Sequence, residues 1–90
     1  MEISISKIRL DRWLWYCRFF KSRTVAARQI RSNNFRVNGA RVRKASVPVK
    51  LGDIVVFQKN NEVKIVEVMA AGSRRGAPAE AASLYKERDK

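Results

Sequence analysis

The first third of the chain carries apolar residues at helical spacing, and this pattern restricts the folds open to it. The residues of this stripe are Leu10, Trp13, Leu14, Cys17 and Phe20. They predict a helix from about Leu10 to Phe19, with Asp11 in the first turn, where a carboxylate can act on the helix N-terminus. Because 90 residues suffice for one domain with a thin core, this helix must supply much of that core.

A second helix is predicted after a short break. Ser22 is placed to cap its N-terminus, and the helix should run through Ile30 or Arg31. Its expected inner face holds Ala26, Ala27 and Ile30, and the two small alanines allow close packing against the first helix.

Other side chains of the two helices fall outside these packed faces. On a helical wheel, Arg28 and Arg31 lie opposite the inner face of the second helix, while Arg23 enters near the seam between the helices. Trp15 and Tyr16 lie off the apolar stripe, where they could cover the sheet or the tail, or stack on a nucleobase. We favour packing for both rings.

The middle of the chain predicts short strands joined by tight turns. The first three strand-like pieces are FRVN, ARVR and VPVK. Asn38-Gly39, between the first two pieces, is a strong hairpin signal. Two longer strands follow in LGDIVVFQKNNEVKIVEVM, joined around Asn60-Asn61, because Asn tolerates a positive φ.

The last part of the chain predicts a Gly- and Pro-marked link and a short Ala-rich helix that folds back on the sheet. Ala81, Leu84 and Tyr85 are expected on one side of this helix. The expected fold class is therefore α+β, with two packed N-terminal helices on a small, mostly antiparallel sheet and a short C-terminal helix. Residues 1–70 should form the main domain, and residues 71–90 the link and the helix that packs on it.

Positive charge is concentrated in the first half of the chain. The formal net charge is +12; residues Lys7 to Lys44 hold twelve Lys and Arg against one acid, whereas Ala45 to Lys90 hold eight against six. A solvated helix face usually interleaves acids among its cations, and the first half does not. The excess favours a polyanionic partner, and phosphate binding by the first half in particular.

Patterns typical of catalysis or cofactor binding are weak. The sequence has no His, one Cys and singly scattered acids, so no metal-ligand cluster, nucleophile with a base or carboxylate pair is indicated. The four glycines match neither a P-loop nor a dinucleotide fingerprint. We therefore expect neither an enzyme nor a bound cofactor or metal.

The expected compartment is the cytoplasm. A lone cysteine cannot form an intramolecular disulfide, and the N-terminus lacks the apolar run of a signal peptide. No apolar run has the length of a membrane span, so no membrane partner is expected. Cys17 is interpreted as a small core residue rather than a reactive thiol.

The order of the motifs resembles the S4-type RNA-binding domain from about Arg9 to Val56. The matching pieces are RLDRWL, KSRTVAARQI and FRVNGARVRKASVPVKLGDIV. The resemblance implies two helices and a small sheet that form an L-shaped RNA-binding surface. It also implies that the second helix keeps its cations unpaired because RNA phosphates neutralise them.

Further pieces resemble one bacterial family more closely, that of the fifteen-kilodalton heat-shock protein. These pieces are WLW, RFFKSR and RRGAPAEAASLY. This resemblance implies a ribosome-associated factor that binds ribosomal RNA of the free large subunit, including stalled subunits that still carry a nascent chain with its tRNA under stress. Shorter RNA-binding proteins of ribosome quality control have a similar length and are a close alternative.

The sequence departs from this family at two places. The family usually has Gly where this chain has Asn33, at the exit of the second helix, so a left-handed backbone is expected there. Longer family members continue past the position of Tyr85 into a basic tail, so either the functions of that tail are absent or the tail lies outside these 90 residues.

Positions in the matching motifs indicate which side chains contact RNA. Those expected on the phosphate backbone are Arg9, Arg12, Lys21, Ser22, Arg23, Arg28 and Arg31, and those that extend the surface along the first hairpin are Arg36, Asn38, Arg41, Arg43 and Lys44. Asp11 is expected to cap the helix or orient an arginine rather than contact RNA. Because no row of stacking aromatics is evident, the expected partner is structured RNA. The free protein is expected to be a monomer.

Two other classes of protein remain open. A helix-turn-helix protein that binds DNA would also show a basic second helix, although the recognition residues and dimer contacts of that class are not evident. The chain could instead be the RNA-targeting module of an RNA-modifying enzyme, although no catalytic domain is evident in these residues.

Overall fold

Three helices and seven strands make up residues 7–88, the part of the chain that the computed structural model describes. In chain order they are β1 (Lys7–Arg9), α1 (Leu10–Tyr16), α2 (Arg23–Ser32), β2 (Phe35–Val37), β3 (Ala40–Val42), β4 (Pro48–Lys50), β5 (Ile54–Lys59), β6 (Glu62–Val68), α3 (Pro78–Ala82) and β7 (Tyr85–Glu87). Each of these helices is too short and too polar to cross a bilayer.

The strands form two antiparallel sheets. The larger sheet has the order β3-β2-β5-β6-β7, and the smaller one pairs β1 with β4. The α+β class is therefore confirmed. Strand β1 was not expected, because three residues before a helix give too short a pattern to read; it gives the predicted piece VPVK a partner outside the larger sheet.

The core lies between α1 and α2 on one side and the inner face of the larger sheet on the other. The largest fully buried side chains are Leu10, Trp13, Leu14, Ile30, Phe35, Val49, Val55, Phe57, Val66 and Val68. The rings of Phe35 and Phe57 stack with their centroids 5.1 Å apart. Cys17 is 3% exposed, and burial raises the pKa of its thiol, which confirms the core interpretation.

Helix α1 ends three residues earlier than predicted, because Arg18 adopts a left-handed backbone with φ 65°. The N–H of Arg18 donates to the carbonyl of Trp15 at 3.0 Å, and that of Phe19 donates to the carbonyl of Leu14 at 3.2 Å. This is the hydrogen-bond pattern of a Schellman motif, in which glycine is the usual residue. The turn brings both Phe19 and Phe20 back to the core, where each is 9% exposed.

Helix α2 follows the prediction at its start. The N–H of Val25 donates to Ser22 Oγ at 3.1 Å, which confirms the cap. Ala26 and Ile30 are fully buried on the inner face. The helix extends to Ser32, one to two residues beyond the predicted end.

The expectation of a left-handed exit from α2 is wrong. Asn33 has φ −111° and ψ 178°, an extended backbone that any residue adopts. Its N–H completes the last helical turn by donating to the carbonyl of Gln29 at 2.8 Å. The chain then runs straight into β2, so no reversal that would need glycine takes place.

The C-terminal prediction is partly wrong. Helix α3 has only five residues, and Ala81 is its buried residue. Leu84 and Tyr85 lie beyond the helix, and Tyr85 begins strand β7, which pairs with β6. Tyr85 reaches the core from this edge strand, since its ring lies 4.6 Å from that of Phe19.

The segment between β6 and α3 is bound to α1 and its exit by hydrogen bonds from side chains to backbone carbonyls. They run from Trp13 Nε1 to Ala70 at 3.0 Å, from Tyr16 Oη to Ser73 at 3.3 Å, and from Arg18 Nε to Gly76 at 2.8 Å. Arg75 lies over the Trp15 ring, 5.8 Å from its centroid, and donates to the Trp15 carbonyl at 3.2 Å. Packing of Trp15 and Tyr16 on the tail is thereby confirmed.

Asp53 anchors the first hairpin to strand β5. Its side chain accepts hydrogen bonds from Asn38 Nδ2 at 3.1 Å, from the Lys50 N–H at 3.0 Å and from Lys50 Nζ at 3.2 Å. Asn38 Oδ1 in turn accepts from the Ile54 N–H at 2.9 Å. Burial acts to raise the pKa of Asp53, but the hydrogen bonds from Asn38 and Lys50 and the charge of Lys50 outweigh it and lower the pKa.

The extended backbone of Asn33 predicts that Asn33→Val changes the free energy of unfolding by less than about 0.5 kcal/mol. The matched substitution Asn60→Val should cost about 1–2 kcal/mol, because Asn60 has φ 53° in the β5–β6 turn and a branched side chain is strained there. Thermal melts of both variants measure the difference. A large loss at Asn33, or equal losses at both positions, would contradict this account of the α2 exit.

The Asp53 contacts predict an acid-sensitive stability. Since the pKa is lowered in the folded state, the stabilisation is complete above the ordinary carboxylate pKa of about 4 and is lost as the pH falls through the folded value. The free energy of unfolding of Asp53→Asn should therefore be about 1–2 kcal/mol lower than that of the unchanged protein at neutral pH. This deficit should shrink below about pH 4. Urea unfolding as a function of pH measures both. A deficit that stays constant down to pH 2 would show that the carboxylate charge is not what matters.

Candidate nucleic-acid interface

Asp11 organises the basic residues at the start of α1. Arg9 donates from Nε and Nη2 to the two carboxylate oxygens at 3.1 and 3.0 Å, and the N–H of Arg12 donates to Oδ1 at 2.8 Å. Asp11 is 3% exposed, whereas 47% of the Arg9 side chain remains exposed. The carboxylate therefore holds the guanidinium in one orientation, which confirms that Asp11 orients an arginine.

A shallow cavity lies beside this pair, between the start of α1 and one flank of α2. It is lined by Asp11, Arg23, Thr24, Ala27 and Arg31. Arg23 packs along the seam, and its Nε is buried without a hydrogen-bond partner among the described residues. Arg31 is exposed at the rim, so the cavity offers two guanidinium groups to an anion. Thr24 was not expected here, because nothing in the sequence distinguishes it.

The loop before β4 brings further cations to the start of α1. The N–H groups of Leu10 and Asp11 donate to the carbonyls of Val47 and Ala45 at 2.8 and 3.1 Å. Lys44, adjacent to Ala45, and its neighbour Arg43 are both exposed. The loop is thereby fixed against the start of α1, although the two segments are more than 30 residues apart in sequence.

The first hairpin carries two arginines directly opposite each other. Arg36 in β2 pairs with Arg41 in β3, and both side chains are exposed on the outer face of the larger sheet. Like charges at opposed positions repel and weaken a strand pair. One of the two is steadied locally, since Arg36 Nη1 donates to the Gly39 carbonyl at 3.1 Å.

Two of the residues predicted to contact RNA have structural roles. Ser22 Oγ is occupied by the helix cap, and Asn38 joins the hairpin turn to Asp53 and Ile54. Of the remaining predicted residues, Lys21 is exposed just before the cap, and Arg12 is half-buried in α1. Arg28 is exposed on the crest of α2, between its two flanks, as the helical wheel predicted.

Salt bridges are distributed unequally between the two halves of the described residues. Six bridges are present, and only Arg9–Asp11 lies in the first half of the chain. Apart from Arg18, which donates to the Gly76 carbonyl, the exposed cations of the first half that have no acid partner among the described residues are Lys7, Lys21, Arg28, Arg31, Arg36, Arg41, Arg43 and Lys44. We call this set, together with Arg9, Arg12 and Arg23, the basic surface.

Lys7 is a member of the basic surface that sequence reasoning missed. It lies in β1 opposite Lys50 of β4, which again places like charges across a strand pair. The local signal, a Lys-Ile-Arg alternation, was too short to predict a strand, and only the pairing reveals its neighbours.

Known proteins match this chain over most of its length. The S4 domain family model matches residues 8–55. A heat shock protein 15 homolog of Haemophilus influenzae is 40% identical over 82 residues, which are 90% of this chain and 61% of the relative, so the chain spans about three fifths of that protein. The small ribosomal subunit protein uS4 of Oleidesulfovibrio alaskensis is 34% identical over 79 residues, 86% of this chain and 38% of uS4.

A solved structure gives the same result at the level of the fold. The trimeric structure of Vibrio cholerae heat shock protein 15 superposes with a TM-score of 0.85 at 30% identity, covering 92% of this chain and 83% of that chain. Both the arrangement of elements and the sequence are therefore shared over most of each protein. The chain belongs to the S4 domain family, and within it to the group formed by heat shock protein 15 and its homologues.

Proposed function

We propose that this chain binds structured RNA through the basic surface. The observation that carries the proposal is the absence of acid partners, among the described residues, for the eight exposed cations of the basic surface. Such a surface repels itself in the free protein, and phosphates remove the repulsion when they bind. Most of its cations lie on helices and paired strands, which suits the regular phosphate spacing of a folded RNA.

The named partner in this proposal is ribosomal RNA of the large subunit. Membership in the heat shock protein 15 group supports this choice, and the similarity to the small-subunit protein uS4 supports binding of ribosomal RNA in general. In this role the chain acts in the cytoplasm on stalled large subunits that carry a nascent chain with its tRNA under stress. We assign no reaction to it. The free chain acts as a monomer, because repulsion between basic surfaces opposes association of copies.

Each part of the site has a distinct task in this proposal. Arg9, held by Asp11, presents a guanidinium that needs no reordering on binding. The cavity with Arg23 and Arg31 receives one phosphate, which the guanidinium of the exposed Arg31 contacts. The arginines of the first hairpin contact the continuing strand of phosphates.

The proposal predicts a strong dependence of affinity on salt. If about six phosphates are neutralised, the logarithm of the affinity for ribosomal RNA should fall with the logarithm of salt concentration at a slope of roughly −4 to −5. Fluorescence anisotropy at several salt concentrations measures the slope. Duplex DNA of equal length serves as the control at each concentration. A slope near zero, or tighter binding to the DNA, would refute the proposal.

Charge reversal on α2 provides the second prediction. Arg28→Glu with Arg31→Glu should leave folding intact or improve it, because both side chains are exposed and self-repulsion falls. Association with large ribosomal subunits should drop by orders of magnitude, since two phosphate contacts are replaced by repulsion. Sedimentation with purified subunits measures association, and circular dichroism measures folding.

The matched control for this variant is Arg74→Glu with Lys86→Glu. It changes the net charge equally at exposed positions outside the basic surface, and the one surface ion pair it breaks, Arg74–Glu80, contributes little to stability. The control should cosediment nearly as well as the unchanged protein. If the two variants lose association equally, net charge rather than the basic surface governs binding.

A further inference from the structure

A second hollow lies on the other flank of α2, away from the Arg23 cavity. Its lining residues are Phe20, Gln29, Asn33, Gln58, Lys59, Asn60 and Asn61, which we call the amide groove. Gln29 and Asn33 are four residues apart, so they share one flank, whereas Thr24 and Arg31 lie on the opposite flank. Arg28 is exposed on the crest between the two hollows. A strand of phosphates that crosses this crest would pass directly over the groove.

The chemistry of the groove differs from that of the basic surface. Five of its seven lining residues carry side-chain amides, none is acidic, and Lys59 is the one cation. Each amide offers both donors and an acceptor, whereas a site for phosphate alone needs only donors. Paired donors and acceptors are what the edges of nucleobases present, and Asn and Gln are the side chains that match them. The volume of about 440 Å³ is typical of small-ligand sites.

Two of the amides lie side by side in the groove. Asn33 Nδ2 donates to Gln29 Oε1. This bond leaves the Gln29 NH₂ group as a donor beside Asn33 Oδ1 as an acceptor, so the pair presents adjacent complementary groups. The floor is also fixed, because Phe20 is 9% exposed and its ring lies 6.1 Å from that of Phe57. Lys59 Nζ lies 5.9 Å from the centroid of the Phe20 ring.

The turn at the groove keeps an amide where glycine would fit more easily. The two hairpins of the larger sheet both have two-residue turns with positive φ. In the first, Asn38 is followed by Gly39 at φ 85°, the preferred pair for such a turn. In the second, Asn60 is followed by Asn61 at φ 64°, so a side chain is retained at the position that favours glycine. The retained amide lines the groove.

We propose that the amide groove binds an unstacked nucleobase of the RNA whose phosphates lie on the α2 crest. This inference rests on the proposed RNA binding and adds a contact to the base where the basic surface contacts only the backbone. The Gln29–Asn33 pair and Asn61 hydrogen-bond the edge of the base, and Phe20 closes the floor.

The test compares an RNA hairpin that carries one bulged nucleotide with the same hairpin in which that nucleotide is abasic, in the same buffer. The unchanged protein should bind the base-bearing RNA about tenfold more tightly, the effect of one well-made contact to a base. The variant Asn33→Ala with Asn61→Gly should lose this preference and keep its affinity for the abasic RNA. Neither change strains the backbone, since Asn33 is extended and glycine suits the φ of Asn61, and a thermal melt verifies folding.

Asn34→Ala is the matched control, because Asn34 is an exposed neighbouring amide that does not line the groove. It should retain the preference for bases. The inference is overturned if the unchanged protein binds both RNAs equally. It is also overturned if the groove variant loses as much affinity for the abasic RNA as for the base-bearing RNA. If both RNAs bind equally and with the expected salt dependence, the inference alone fails; if neither binds, the proposed RNA binding fails with it.

Discussion

Burial of the aromatic side chains at the exit of α1 is the constraint on which the rest of this structure depends. Phe19 and Phe20 follow the left-handed residue Arg18 and pack against Phe57 at ring distances of 5.2 and 6.1 Å. This contact joins the helices to the larger sheet, and the buried faces of α1 and β5 meet on it. Buried aromatic pairs of this kind contribute beyond their apolar area. A thin core needs such contacts because the unpaired cations on the surface repel each other and destabilise the fold.

The acids are distributed so that the second half of the chain is nearly neutral and the first half keeps its positive charge. The second half of the chain pairs Asp53, Glu62, Glu67, Glu80 and Glu87 with nearby cations, so its charges largely cancel. In the first half, Asp11 is used to position Arg9 and leaves the other cations unpaired. The free protein therefore gives up some stability to keep unpaired cations in the first half of the chain. That compromise is typical of proteins whose partner is a polyanion.

Sequence reasoning succeeded where short-range chemistry decides the structure. The Ser22 cap, both Asn-containing turns, the inner face of α2 and the burial of Trp13 and Cys17 were all readable, because each depends on local residue preference or on helical period. It failed at Asn33, where an expected glycine-like turn is an extended backbone, and at Arg18 and Tyr85, where distant contacts decide. Arg18 occupies a glycine position and bonds a carbonyl 58 residues away, and Tyr85 joins an edge strand that no local pattern indicates. The basic surface was foreseeable as a set of cations, but the cavity at Arg23 and the amide groove needed the fold.

The hydrogen bonds between α1 and the segment that follows β6 bear on what counts as the independent folding unit. The S4 domain match ends at residue 55, within β5, yet Val66 and Val68 are fully buried and Trp13 bonds the Ala70 carbonyl. A fragment cut at the edge of the match would truncate β5, remove β6 and leave the indole N–H of the central tryptophan unpaired. The segment that the S4 domain family model matches is therefore smaller than the segment that forms the core here. In this chain, the residues that complete the core lie outside the recognised motif.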